Sequence, residues 1–170
     1  MTNRQGGQGK QGAFPAGRRD RLIRERDHDP YKAGAKLPDP TACPDCGAMY
    51  RAGRWMWGAP PAEAHQERCP ACRRIRDDYP AGVLSLAGSF LHEHRDEVLG
   101  LARNIEQRER EGHALKRIMA IGDEDDAIII TTTDSGLARN IGDAIHAAYQ
   151  GDLDYHYSDG EDLLRVSWKR

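Results

Sequence analysis

Two Cys-x-x-Cys pairs constrain this chain more than any other feature of its sequence. Cys-Pro-Asp-Cys-Gly occupies residues 43–47, Cys-Pro-Ala-Cys occupies residues 69–72, 22 residues separate the pairs, and the chain has 4 cysteines in all. Two residues between ligands form a tight turn that points both sulfurs at one ion, so two such turns can close a tetrahedral site. The glycine after the second cysteine relieves crowding where backbone N–H groups turn toward the thiolates. We therefore predict a zinc ribbon over residues 39–80, with one structural Zn²⁺ held by Cys43, Cys46, Cys69 and Cys72.

A site closed by four cysteines leaves no open coordination position, which favours a structural metal over a catalytic one. The same spacing also fits a rubredoxin-like iron site. A single Cys-x-x-Cys can carry dithiol redox chemistry, although two matched pairs argue against it. Residues 1–10 lack the apolar segment of a secretory signal, and no apolar run approaches the roughly 20 residues that span a bilayer. We therefore expect a cytoplasmic protein without membrane contact, in which the cysteines stay reduced.

The net charge of −2 conceals two halves of opposite sign. Residues 1–80 carry 15 basic and 10 acidic residues, a net of +5, whereas residues 81–170 carry 10 and 17, a net of −7. The positive excess lies at the start, because residues 1–36 have nine basic and four acidic residues and residues 37–80 have six of each. Residues 1–38 also contain few apolar side chains, so they predict a flexible basic arm.

Arginines and tryptophans surround the cysteine pairs and favour contact with nucleic acid. Arginine neutralises phosphates, and aromatic rings stack on unpaired bases. Two alternatives stay open for this segment: the tryptophans form the core of a small ribbon, or the surface binds protein. The candidate contact residues are Arg51, Arg54, Trp55, Trp57, Arg73, Arg74 and Arg76 of the ribbon and Arg18, Arg19 and Arg21 of the arm.

Residues 81–170 predict a separate α+β domain. Apolar residues recur at three- and four-residue spacing after Ser89, a plausible N-cap, and after Asp134 or Ser135. Strand patterns flank both segments, and Asp159-Gly160 is typical of a hairpin turn. The order β-α-β-β-α-β-β matches a ferredoxin-like split βαβ sandwich extended by one strand. The predicted strands are 83–86, 115–121, 127–133, 153–158 and 163–168, and the predicted helices are 89–111 and 135–150.

No pattern in the chain predicts an enzyme or a small-molecule substrate. The 7 histidines form no His-x-x-x-His or His-Glu-x-x-His arrangement. The acidic run 123–126 lacks the ligand spacing of a calcium loop, so it predicts a solvated turn. A phosphate-binding loop, a nucleophile elbow and a dinucleotide fingerprint are all missing from the sequence.

Several of these segments together resemble the bacterial BCAM-type zinc-ribbon family. The resemblance covers about residues 40–170 and rests on both cysteine motifs, the Arg-Trp loop between them, and Thr-Thr-Thr-Asp followed by Leu-Ala-Arg-Asn-Ile-Gly. The closing segments Leu-Asp-Tyr-His-Tyr at 153–157 and Leu-Arg-Val-Ser-Trp at 164–168 fit too. That family is in turn similar to part of the archaeal and eukaryotic adaptor for nuclear export of the large ribosomal subunit.

The resemblance implies a zinc-dependent, non-enzymatic factor that binds the large ribosomal subunit, its RNA or its proteins. Only the four cysteines transfer residue by residue. Bacteria have no nuclear export, which leaves ribosome assembly, dormancy or quality control as the role. The alternative is a zinc-ribbon module for protein–protein contact in a regulatory or transcription-related complex, without nucleic acid.

Overall fold

The computed structural model describes residues 29–31, 36–157 and 163–170, which form two sheets and three helices. The first sheet contains the first four strands, and the first helix follows it. The second sheet contains the remaining five strands and carries the other two helices. The strands are β1 Thr41–Ala42, β2 Met49–Arg51, β3 Arg54–Met56, β4 His65–Gln66, β5 Gly82–Ala87, β6 Ile118–Glu124, β7 Ala127–Thr132, β8 Asp152–Tyr157 and β9 Leu164–Lys169, and the helices are α1 Pro70–Asp77, α2 Ser89–Gly112 and α3 Ser135–Tyr149.

The ribbon, residues 39–80, is a small sheet with the order β3-β2-β1-β4. Strands β2 and β3 form a hairpin, whose turn places Ala52 and Gly53 at φ of 50° and 82°. Glycine adopts a positive φ without cost, which suits Gly53 to this turn. The sheet is too small to bury many apolar groups: its main buried cluster consists of three cysteines, two alanines and Trp55 of the ribbon, together with Ala114 from residues 81–170. Such a core needs a further source of stability, which a structural metal would supply.

The sheet domain, residues 81–170, confirms the predicted α+β class and element order. Its strand order is β6-β7-β5-β9-β8. Strands β5, β6 and β7 pair as in a split βαβ unit, with β7 antiparallel to both neighbours. The additional strand β9 is inserted between β5 and β8 and runs parallel to β5. Burial explains the insertion: every second residue of β9 is buried, whereas β8 has no buried residue and takes the edge.

Helices α2 and α3 cover one face of this sheet. Leu84 of β5, Ile130 of β7 and Val166 of β9 lie side by side in the register and are almost fully buried beneath the helices. Tyr155 pairs with Val166 and therefore also faces the helices. The opposite face presents Asp154, His156, Arg165 and Ser167, which offer no row of aromatic rings for stacking bases.

The observed boundaries depart from the sequence prediction at three places. Strand β6 continues to Glu124, so only Asp125 and Asp126 of the acidic run form the predicted turn. Helix α2 is capped by Gly88 and not by Ser89, because Gly88 has a φ of 106° and no Cβ to strike the Arg170 carbonyl, which would lie 2.1 Å away. Strand β6 begins at Ile118 instead of residue 115, because the preceding residues turn toward the ribbon. The Asp159-Gly160 turn lies outside the described residues. Among the described helices, none combines the length and apolar character needed to cross a bilayer.

Candidate metal centre

The first cysteine pair lies in the turn between β1 and β2. The backbone N–H of Gly47 donates to the Cys43 carbonyl at 2.9 Å, and the N–H of Cys43 donates to the Ala48 carbonyl at 2.8 Å. Gly47 has a φ of 74°, a conformation that L residues rarely adopt. Gly47 therefore serves the positive φ of this turn, whereas the predicted relief of crowding is not observed, because a Cβ built on Gly47 would meet no atom within 4 Å.

The second cysteine pair lies at the start of α1. Cys69 is the N-cap residue, and its sulfur accepts a hydrogen bond from the Cys72 N–H at 3.4 Å. Pro70 occupies the first turn, where its missing N–H has no partner to lose. The N–H of Cys69 in turn donates to the Cys43 sulfur at 3.3 Å, which ties the two pairs together.

The four sulfurs have the spacing that a tetrahedral metal requires. All four lie within 4.8 Å of one another, and Cys46 Sγ is 3.8 Å from Cys69 Sγ. A zinc ion about 2.3 Å from each sulfur would set tetrahedral sulfurs about 3.8 Å apart. All four cysteines are free thiols, and Cys46 alone of the four is partly exposed. The residues present therefore fit one structural metal ion.

A buried arginine completes the site from the sheet domain. Arg117, between α2 and β6, is 6% exposed, and its guanidinium donates to Cys46 Sγ at 3.1 Å, to Cys72 Sγ at 3.3 Å and to Cys69 Sγ at 3.6 Å. It also donates twice to the Ala114 carbonyl, at 2.9 and 3.0 Å. Sequence reasoning missed Arg117, which lies 45 residues beyond Cys72 in no motif of the site.

Burial and hydrogen bonding shift the pKa values of the cysteine thiols in different directions. Burial raises the pKa of Cys69 and of Cys72, because a thiolate loses its solvation. At Cys43 burial opposes ionisation, but backbone N–H donors, led by Cys69, outweigh it and lower the pKa to about 7. At Arg117 burial works against the charge, but hydrogen bonds to the sulfurs outweigh it and raise the pKa. Metal binding at neutral pH therefore has to displace protons from at least two buried thiols.

The ribbon contacts the sheet domain around Trp57. The Trp57 Nε1–H donates to the Arg110 carbonyl at 2.6 Å near the end of α2. The guanidinium carbons of Arg110 and Arg117 lie 5.1 and 5.5 Å from the centre of the Trp57 ring. Ala114 and Leu115, which follow α2, pack against the ribbon core. The predicted RNA-contact residue Trp57 is therefore engaged in packing between the two sheets.

Two more of the predicted RNA-contact residues are engaged within the protein. Trp55 is 8% exposed and packs in the ribbon core against Tyr50, so its ring offers no free face to a base. Arg74 is 3% exposed, pairs with Asp29 and donates to the Tyr79 carbonyl. The tryptophan-core alternative raised for this segment accounts for the observed place of Trp55.

The remaining predicted arginines of the ribbon are accessible. Arg51 and Arg54 are exposed at the tip of the β2–β3 hairpin and form no ion pair with a described residue. Arg73 pairs with Glu67, and Arg76 pairs with Asp77. The arm residues Arg18, Arg19 and Arg21 lie outside the described residues. In the described part of the ribbon, Arg51 and Arg54 therefore place unpaired positive charge in solvent at the tip of the hairpin.

The fold and the site define an α+β protein with a four-cysteine metal-binding ribbon and a five-stranded sheet domain. No family model, curated protein or solved structure matches the chain.

Proposed function

We propose that this chain is a non-enzymatic zinc-binding factor that associates with the large ribosomal subunit or its RNA. The observation that carries the metal half of the proposal is the cluster of four sulfurs within 4.8 Å of one another. Zinc has no redox chemistry in proteins and takes four thiolates in a tetrahedron. Bound there, it would cross-link the β1–β2 turn to the start of α1 and stabilise a ribbon with a very small core.

The RNA half of the proposal is supported by the exposed hairpin tip and by the resemblance to the BCAM-type family. Arg51 and Arg54 pair across the β2–β3 register, so their side chains project from one end of the hairpin. Two accessible guanidinium groups at such a tip suit contact with backbone phosphates. The arm, with its excess of positive charge over residues 1–36, adds long-range attraction to the same polyanion.

Metal analysis of the purified chain tests the first half of the proposal. We expect about one zinc per chain, and we expect Cys46→Ser to release it and to raise amide exchange over residues 40–80. One iron per chain would instead identify a rubredoxin-like centre. A chain that folds without any metal would overturn the proposal.

Sedimentation of lysate through a sucrose gradient tests the second half. We expect the protein in the large-subunit fractions at low salt and a shift to the top of the gradient when Arg51 and Arg54 are both changed to Ala. A matched control changes Arg95 and Arg139, which pair with Asp123 and Tyr157 on the sheet domain, and should leave sedimentation unaltered. Protein found only at the top of the gradient, in growth and in stationary phase, would refute ribosome association.

A pull-down after nuclease treatment distinguishes the alternative function. Partners that survive RNase and do not include ribosomal proteins would favour a protein–protein interaction module over an RNA-contacting one.

A further inference from the structure

Arg117 is a buried cation whose side chain donates to the Ala114 carbonyl, at 2.9 and 3.0 Å, and to the sulfurs of the predicted metal ligands. Its guanidinium contacts three of the four, Cys46, Cys69 and Cys72, at 3.1 to 3.6 Å. A buried charge without a partner is strongly destabilising, so a cation placed here implies an anionic site. Four neutral thiols would provide only weak acceptors for it. The position of Arg117 therefore fits thiolates better than thiols.

The charge of a loaded site explains why such a cation is needed. Four thiolates around one divalent ion carry a net charge of −2, and three of the four sulfurs belong to buried residues. Hydrogen bonds from the backbone N–H groups of Cys69 and Cys72 supply partial positive charge but no full unit. The other cations of the described ribbon and its neighbourhood are engaged or exposed: Arg68 pairs with Asp45, and Arg110 is exposed above Trp57. Arg117 supplies the full buried positive charge.

The sheet domain holds Arg117 in place independently of the cysteines. The Arg117 backbone N–H donates to Thr133 Oγ1 at 2.9 Å, and the Thr133 N–H donates to the Arg117 carbonyl at 2.9 Å. The Ala114 carbonyl accepts two hydrogen bonds from the guanidinium. Because Thr133 directly follows β7 and precedes the Asp134 cap of α3, the side chain is oriented by the second sheet and its helix.

We propose that Arg117 is a component of the metal centre: it is the fixed counter-cation of the four thiolates, and it couples metal loading of the ribbon to the fold of the sheet domain. The inference rests on the proposed metal binding by the cysteines. Partners beyond the ligands that donate to ligand atoms tune metal affinity strongly. Coupling of this kind is reciprocal, so metal bound in the ribbon also stabilises the sheet domain that presents Arg117.

Metal competition with the full-length chain tests the proposal. The variants are Arg117→Met, which keeps the length and loses the charge, Arg117→Lys, which keeps the charge with fewer donors, and Arg95→Met as the control for loss of one positive charge. We expect Arg117→Met to weaken zinc binding against a chelator by about 10- to 100-fold. The zinc affinity of Arg117→Lys should lie between those of Arg117→Met and the unaltered chain, and the affinity of Arg95→Met should equal that of the unaltered chain. Zinc affinity of a folded Arg117→Met variant within twofold of the unaltered chain would overturn the proposal.

Co²⁺ substitution provides a readout that a merely structural role would not alter. Hydrogen bonds from the guanidinium lower the energy of the sulfur lone pairs, so their loss should shift the sulfur-to-cobalt charge-transfer band to longer wavelength. If Arg117→Met does not fold, the position of the charge-transfer band is measured in Arg117→Lys instead. A band at the same wavelength as in the unaltered chain refutes the proposal. The reciprocal effect is a zinc-dependent rise in melting temperature of the sheet domain that shrinks in both variants. If the unaltered chain itself binds neither zinc nor cobalt, the proposed metal binding fails. If the unaltered chain binds metal and the Arg117 variants bind it equally well, only the proposed role of Arg117 fails.

Discussion

Two glycines within helices should respond in opposite directions to the same substitution. Gly142 of α3 lies against β9: a Cβ built on it would be 2.8 Å from Val166 Cγ1 and 3.4 Å from Leu153 Cδ1. Gly100 lies inside α2, and a Cβ built there meets no atom within 4 Å. Neither glycine has a positive φ, so alanine fits the backbone at both positions.

The expected changes in stability follow from helix propensity and from core packing. Alanine is about 0.8–1.0 kcal/mol more favourable than glycine inside a helix, so Gly100→Ala should stabilise the protein by up to about 1 kcal/mol. At position 142 the same gain is opposed by the cost of overpacking, about 1–3 kcal/mol. Val166 is 1% exposed and β-branched, so it has little freedom to move away. Gly142→Ala should therefore change stability by between about zero and a loss of 2 kcal/mol.

Urea denaturation followed by far-ultraviolet circular dichroism measures both changes. We expect the free energy of unfolding to differ between the two variants by about 1–3 kcal/mol, with Gly100→Ala the more stable. Val166→Ala introduced together with Gly142→Ala tests the origin of the cost, because the pair should be less destabilising than the sum of the single changes. Equal stabilisation by both alanines would refute the close approach of α3 to β9.

Three further predictions concern a helix cap, a tyrosine and the arm. Asp134→Ala should cost about 1 kcal/mol in a urea titration, because the side chain accepts from the Leu137 N–H at 2.8 Å, whereas Asp134→Asn should retain most of that stability. Burial, together with a hydrogen bond to Asp143, raises the pKa of Tyr155 to about 12. The folded pKa therefore exceeds the unfolded value of about 10, so this contribution to stability is complete below pH 10 and is lost as the pH rises through 12. Absorbance titration should show a late-ionising phenol that Tyr155→Phe removes; full ionisation of every tyrosine by about pH 11 would contradict the assignment. Deletion of residues 1–36 should reduce the salt dependence of RNA binding more than removal of zinc does, and an unchanged slope would exclude the arm from binding.

Local rules made much of this fold predictable. Period-two and period-3.6 patterns depend on neighbouring residues alone, so the hairpin at Ala52-Gly53, helix α2 and the Asp134 cap follow from the sequence. The errors in the predicted ends of helices and strands arise where a residue distant in the sequence overrides the local pattern. Gly88 replaces Ser89 as the cap because the backbone of Arg170 closes over it, and no local pattern announces that contact.

Long-range contacts decided the placement of residues that the sequence left ambiguous. In the sequence, a tryptophan beside arginines is equally consistent with a surface that stacks bases and with the core of a small sheet. Trp55 is buried in the ribbon and Trp57 joins the ribbon to α2, so packing explains both rings. The place of β9 between β5 and β8 likewise depends on packing: every second residue of β9 is buried against the helices, whereas β8 has no buried residue.

The sequence by itself predicted the cluster of four cysteines, because a Cys-x-x-Cys turn is a local structure and two of them suffice to define a tetrahedral site. It also determined the order of helices and strands in the sheet domain. Only the tertiary structure decided that Arg117 belongs to the metal centre. The reason is physical: the charge of four thiolates has to be balanced from a neighbouring surface, and the residue that balances it is selected by proximity in space, 45 residues from Cys72 along the chain.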